Sequence, residues 1–334
     1  MKVDVHAHVL SSDLLGKAGK YGPELTDNED GSWSLRVGQY STRSAPGGKG
    51  IAGGKDLLAK VGNPDLRVRE MDEKGIDMMG VTISPLFYLY WAEAEIAIPF
   101  ATAQNDFLLW YAEQHPTRFF ANATLPLQDV DAAIEELERT VARGAKGVNI
   151  GTDNIAGRNL DSEALWPLYR KIEELDVPIF LHPYPAPIEG GVEDRYNLSW
   201  IVGYTTQETT AFAHLTLGGV LDDFPNLNIY ITHGGGAVPY QFGRLELAQD
   251  RMPDVRAKKP LPHYLKNFYF DCLLHDVRAR RFLVEFMGAD HLIIGDNYGG
   301  WDALNGFTLL DELDLSDEDR RKIEGENARR IFHL

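Results

Sequence analysis

One cysteine, Cys272, in 334 residues excludes an intrachain disulfide and any zinc cluster built on thiolates. Such scarcity fits a reducing compartment. Basic residues are also in deficit: 33 Lys and Arg stand against 50 Asp and Glu, a formal net charge of −17. That balance argues against a nucleic-acid partner, whose phosphates require a basic footprint. No apolar run approaches the roughly 18 residues of a membrane span. The opening MKVDVHAHVL has no apolar stretch leading to a small-residue cleavage site, so the expected setting is soluble and cytoplasmic. The remaining composition, 44% hydrophobic and 25% charged, is that of an ordinary globular protein.

Eight β-rich runs alternate with segments of helical period. The expected strands are Val3–Val9, Met78–Pro85, Phe119–Leu127, Gly147–Gly151, Val177–Pro183, Asn228–His233, Phe268–Leu274 and Leu292–Asp296. Several are nearly continuous apolar runs ending in a polar residue, as parallel strands covered by helices require. Between them, Asp131–Arg143, Ala164–Leu175 and Val277–Met287 place apolar residues on one helical face, and Ser316 with Asp319 resembles a capping box. The alternation predicts a single α/β domain over residues 1–334, closed as a (β/α)8 TIM barrel with its site at the C-terminal ends of the strands. A polar insertion at about residues 11–60 interrupts the rhythm. Its PGGKGIAGGK stretch lacks the spacing of a phosphate-binding loop. It reads as a surface loop, and its position after the first strand also suits a lid.

The strand ends carry the chemistry. His6 and His8, two apart on a strand, share a face, and His182 and His233 end the fifth and sixth expected strands. Strand seven carries Asp271, and strand eight ends Gly295-Asp296-Asn297-Tyr298. Strand histidines are more often structural than ligating, but their coincidence at the ends of three strands favours a divalent metal bound by neutral imidazoles and an oxygen ligand. Gly234–Gly236 reads as a tight turn.

These segments together resemble the second amidohydrolase family, particularly the aminocarboxymuconate-semialdehyde decarboxylases and related decarboxylases. The resemblance rests on DVHAHV at 4–9, RVREMDEKGIDMMGV at 67–81, ATLPLQD at 123–129, PIFLHP at 178–183, FPNLNIYITHGGG at 224–236 and GENARRIF at 325–332. It implies a barrel, one divalent ion (zinc, with manganese as the alternative) and non-oxidative loss of CO2 from an unsaturated or aromatic carboxylate. His6, His8 and His182 match metal ligands, and His233 matches a histidine that activates water and moves protons. Arg244 matches an arginine that reaches a neighbouring subunit's site, which implies a homodimer binding a small anionic carboxylate. Lys55 stands where the family has a substrate-holding arginine; lysine keeps the charge without the planar fork. Asn297 stands at the ligand aspartate of the family's G-[ST]-D-Y, so register points Asn297 to the metal; zinc's preference for anionic oxygen favours Asp296 there instead if a bulge turns it inward, and Asp296 is otherwise a candidate catalytic carboxylate. Trp91 and Tyr298 join Lys55 and Arg244 as expected substrate contacts, and Phe87, Tyr88 and Tyr90 could wall a flat substrate or pack in the core. The leading expectation is a decarboxylase. The alternatives are a hydrolase or hydratase acting on a lactone or oxo-acid, and an inactive barrel retaining a cleft.

Overall fold

The structure, a computed structural model, describes residues 1–43, 54–152, 155–185, 196–300 and 302–334. Eight parallel strands form one sheet in the order β1-β5-β6-β7-β8-β9-β10-β11. They are β1 (Val3–Val9), β5 (Met78–Ile83), β6 (Phe119–Thr124), β7 (Gly147–Gly151), β8 (Ile179–His182), β9 (Ile229–Ile231), β10 (Phe268–Asp271) and β11 (Leu292–Ile293). The last strand is only two residues long, and single bridges from Asp4 to Ile294 and from Ala7 to Tyr298, in the segment just beyond it, reach β1 and close the barrel. All eight expected strands are present, most of them shortened at their C-terminal ends, where the backbone leaves the ladder to build the mouth.

Local signals place the helices. Helix Val130–Ala142 begins at Asp129, whose side chain accepts from Ala132 N, and Val277–Met287 begins at Asp276, which accepts from Arg278 N. Each cap satisfies a donor that the first helical turn leaves free. Ser316 likewise accepts from Asp319 N at 3.0 Å, opening Asp317–Arg321. At the opposite end of the barrel from the mouth, Ala328, Ile331 and Phe332 pack with Val3, Val5, Phe120, Phe180 and Tyr230 in a buried cluster. Among the described residues no helix is long and apolar enough to cross a membrane.

The segment expected as a polar loop carries structure of its own. Strands β2 (Glu24–Asp27), β3 (Trp33–Val37) and β4 (Tyr40–Arg43) form an antiparallel sheet. Trp33, Leu35 and Val37 are buried while Ser34 and Arg36 are half-buried between them, a strand alternation that the polarity of the whole segment conceals. Most of PGGKGIAGGK lies outside the described residues.

Candidate active site

The register of β1 against β5 shifts between Asp4 and Ala7. This irregularity lets His6 and His8 turn together into the mouth while Asp4 lies against Asp296, accepting from the backbone N–H of both His6 and Asp296 at 3.0 Å. The His6 Nε2 atom is 3.3 Å from His8 Nε2 and 3.1 Å from His182 Nε2. All three rings are buried. Burial, above all, holds them neutral: His8 falls to about 4, and His6 and His182 fall well below the usual histidine value. Three neutral nitrogens whose lone pairs meet in a buried space form a donor set suited to a divalent cation. The rings are braced from behind. His182 Nδ1 bonds Pro183 O, and His6 Nδ1 lies 3.5 Å from Asp271 Oδ2. Asp271 is itself held by Tyr230 Oη at 2.7 Å and Gly234 N at 3.0 Å. Backing groups of this kind fix a ligand's tautomer and direction.

His233 stands beside the trio, its ring centroid 5.8 Å from those of His6 and His182. Its Nδ1 bonds the buried carboxylate of Glu208 at 2.7 Å, and the Thr232 hydroxyl donates to the same oxygen. Burial alone would lower His233, but the Glu208 charge and hydrogen bond outweigh it and raise the group to about 9. Burial likewise raises the Glu208 carboxyl, against the pull of His233 and Thr232. His233 has φ of 47°, a left-handed conformation that non-glycine residues adopt only when their surroundings enforce it. Gly234, Gly235 and Gly236 continue that turn with φ of 65°, 75° and 62°; a Cβ on Gly236 would lie 2.3 Å from Thr205 O.

At the end of β11 the four consecutive residues diverge. Gly295 faces the barrel interior, where a Cβ would come within 2.8 Å of both Asp271 Oδ2 and His6 Cβ. Asp296 turns away from the mouth: its Oδ1 accepts from Gly306 N at 2.6 Å, and burial raises its carboxyl to about 6. Asn297, with φ of 49°, enters the mouth. Its Nδ2 donates to Asp302 Oδ1 at 2.5 Å, its side chain acts on His8, and its buried Oδ1 has no hydrogen-bond partner. Tyr298 leaves on the far side, where its hydroxyl donates to Glu70 and the Arg67 guanidinium lies 3.4 Å above its ring. The left-handed turn at Asn297, just beyond β11, therefore brings Asn297, and neither Asp296 nor Tyr298, to the histidines.

The cleft over the histidines is lined by Trp33 and Leu35 from the small antiparallel sheet, Leu86 after β5, Trp200 and Tyr204, with His8, His182, His233 and Asn297 at its base. Trp91 lies apart from this lining. It packs edge-on against Tyr21 at 4.7 Å and covers Gly38, where a Cβ would collide with it. Phe87 packs on Phe100, Tyr88 donates to Asn149 at 2.6 Å, and Tyr90 accepts from Gly151 N at 3.1 Å; all three are buried core. Lys55 falls in helix Gly54–Val61, with its side chain outside the described residues. Arg244 is exposed on helix Val238–Arg251, outside the cleft lining of its own chain. Glu208, Asp302, Trp33 and Tyr204 were not singled out from sequence. A glutamate in mid-helix ordinarily reads as a solvated charge, and only the alternation Trp33, Leu35, Val37 offered a local signal.

Residues 3–334 match the model of the amidohydrolase family, and the chain belongs to that family. It is 30% identical over 305 residues to the 2-amino-3-carboxymuconate-6-semialdehyde decarboxylase of Dictyostelium discoideum, covering 89% of this chain and 81% of that one. It is 28% identical over 289 residues to the 2-keto-4-carboxy-3-hexenedioate hydratase of Sphingobium sp. (strain NBRC 103272 / SYK-6), covering 80% and 81%. The fold matches that of the dihydroxybenzoic acid decarboxylase from Polaromonas sp. JS666, solved with bound manganese and the inhibitor 2-nitroresorcinol. Its TM-score is 0.78 and its identity 24%, over 100% of this chain and 97% of that one.

Proposed function

We propose that this chain is a metal-dependent carbon–carbon lyase that removes CO2, without oxidation, from an unsaturated or aromatic carboxylic acid. The observation that carries the reading is the meeting of three buried imidazoles beside a fourth that is hydrogen-bonded to a buried carboxylate. His6, His8 and His182 would hold the ion, with Asn297 Oδ1 as a neutral oxygen ligand. Zinc is the proposed metal and manganese, carried by the Polaromonas structure, the alternative. When bound, the divalent ion supplies Lewis acidity toward a substrate oxygen.

His233 is the proton donor. With Nδ1 engaged by Glu208, its Nε2–H is left for the cleft. As the C–C bond to the carboxylate breaks, the bonding pair stays on the substrate carbon and takes that proton, leaving CO2, a new C–H bond and a neutral imidazole. Trp33, Leu35 and Tyr204 would flank a flat apolar frame and exclude water.

Among the described residues lining the cleft there is no Lys or Arg. Recognition of the substrate carboxylate would fall to Lys55 and to Arg244 from a second copy in a homodimer. The single thiol, Cys272, supports a reducing, cytoplasmic setting. Assaying CO2 release from a panel of muconate and hydroxybenzoate acids, alongside metal analysis, tests the reading. Release is expected from at least one acid and should disappear in His6→Ala. Water addition without CO2 would replace the lyase by a hydratase, the activity named for the Sphingobium relative.

A further inference from the structure

The charge around the proposed ion is unusual for a site of this kind: three neutral imidazoles and a neutral amide leave a divalent cation without an anionic ligand. Besides Asp271 behind His6, a carboxylate approaches from the loop that follows β11. Asp302, with 9% of its side chain exposed, accepts from Asn297 Nδ2 at 2.5 Å. Its other oxygen lies 3.5 Å from His275 Nε2. Gly300 allows this loop to fold back, since a Cβ there would lie 2.3 Å from Asn297 Oδ1. The arrangement settles the amide's orientation. Flipping it would set Oδ1 against a carboxylate oxygen, so the nitrogen faces Asp302 and the oxygen, buried and unpartnered, is left for the histidines.

We propose that Asp302 is a positioning residue for the metal site, acting through Asn297 to aim its Oδ1 and enrich that oxygen with negative charge. The inference rests on the reading above, in which Asn297 faces the ion. A carboxylate accepting a ligand's N–H orients the ligand and makes it a stronger donor, and losing such a partner typically lowers metal affinity about 10- to 100-fold. The pair thereby divides between two residues what a single aspartate would do: Asn297 supplies the oxygen and Asp302 the charge.

The test is chelator competition for Zn2+ and Co2+, with the cobalt d–d absorption as a spectroscopic readout, on wild type, Asp302→Asn, Asn297→Asp, the double variant Asn297→Asp/Asp302→Asn, and His6→Ala. Asp302→Asn should weaken binding at least about tenfold and shift the cobalt spectrum. Asn297→Asp alone should bind no tighter than wild type, because two abutting carboxylates must share a proton. The double variant should recover wild-type affinity or better, with the charge moved inward. If Asp302→Asn changes affinity less than about twofold and the two substitutions are additive, the inference is overturned, while loss of metal in His6→Ala still upholds the centre itself. Unchanged metal in His6→Ala overturns both.

Discussion

Glu208 and His233, 25 positions apart in the chain, share a 2.7 Å hydrogen bond in which the carboxylate is fully buried and the imidazole is 11% exposed. The pair joins helix Tyr204–Leu217 to the turn after β9 and sets the charge of the fourth histidine, beside the trio. Glu208→Gln keeps the shape and removes that charge. The expected result is a fall in kcat of about 100-fold or more, within the range for a lost proton donor, with KM little changed. Equal losses in kcat and in substrate affinity would point instead to a collapsed cleft.

The same pair makes metal-free stability depend on pH. His233 is raised to about 9 from an unfolded value of about 6.5. Its contribution is therefore complete below about pH 6.5 and is lost as pH rises through about 9. Denaturant midpoints of metal-free wild type should fall more between pH 6.5 and 9.5 than those of Glu208→Gln. Parallel falls in the two proteins would remove His233 as the source.

Metal content should separate a neighbouring acid, Asp296, from the ligands. Alanine at His6, His8 or His182 should abolish tight binding of one equivalent and the thermal stabilisation that the ion confers. Asp296→Ala should leave binding largely intact, because its carboxylate accepts from Gly306 N, away from the histidines. Elemental analysis with paired melting curves checks both, and metal loss in Asp296→Ala would bring that residue back to the ion.

Arg67 is 1% exposed; it donates to His8 O at 3.1 Å and covers the Tyr298 ring. Arg67→Ala opens a cavity and strips a buried carbonyl of its donor, and should cost about 3 kcal/mol of stability. Chemical denaturation measures it; a loss under about 1 kcal/mol would mean water replaces the guanidinium.

Arg244 is exposed on its own chain, so its proposed role requires a second copy. Arg244→Ala and His6→Ala chains, each inactive alone, should regain part of the activity when mixed, since one site in a heterodimer holds both native residues. Subunit exchange without recovery would count against a shared site.

The barrel was legible because its evidence is local. Short apolar runs separated by capped helices state their own periods, and histidines at strand ends point to a metal site through residue type and position alone. The relations that decide the chemistry were not local. Which of Asp296 and Asn297 turns inward depends on how β11 closes against a β1 whose register shifts near Asp4, and strand pairing across nearly the whole chain has no signature in either segment. Glu208 could be read as a solvated helix charge until packing buried it beside His233. Trp33 and Leu35 reached the cleft only once the antiparallel sheet was laid over the mouth. Periodicity and side-chain chemistry are properties of short segments, so the elements and the kinds of donor could be read along the chain. Register, burial and the pairing of distant charges exist only between segments, and they arise when the chain folds.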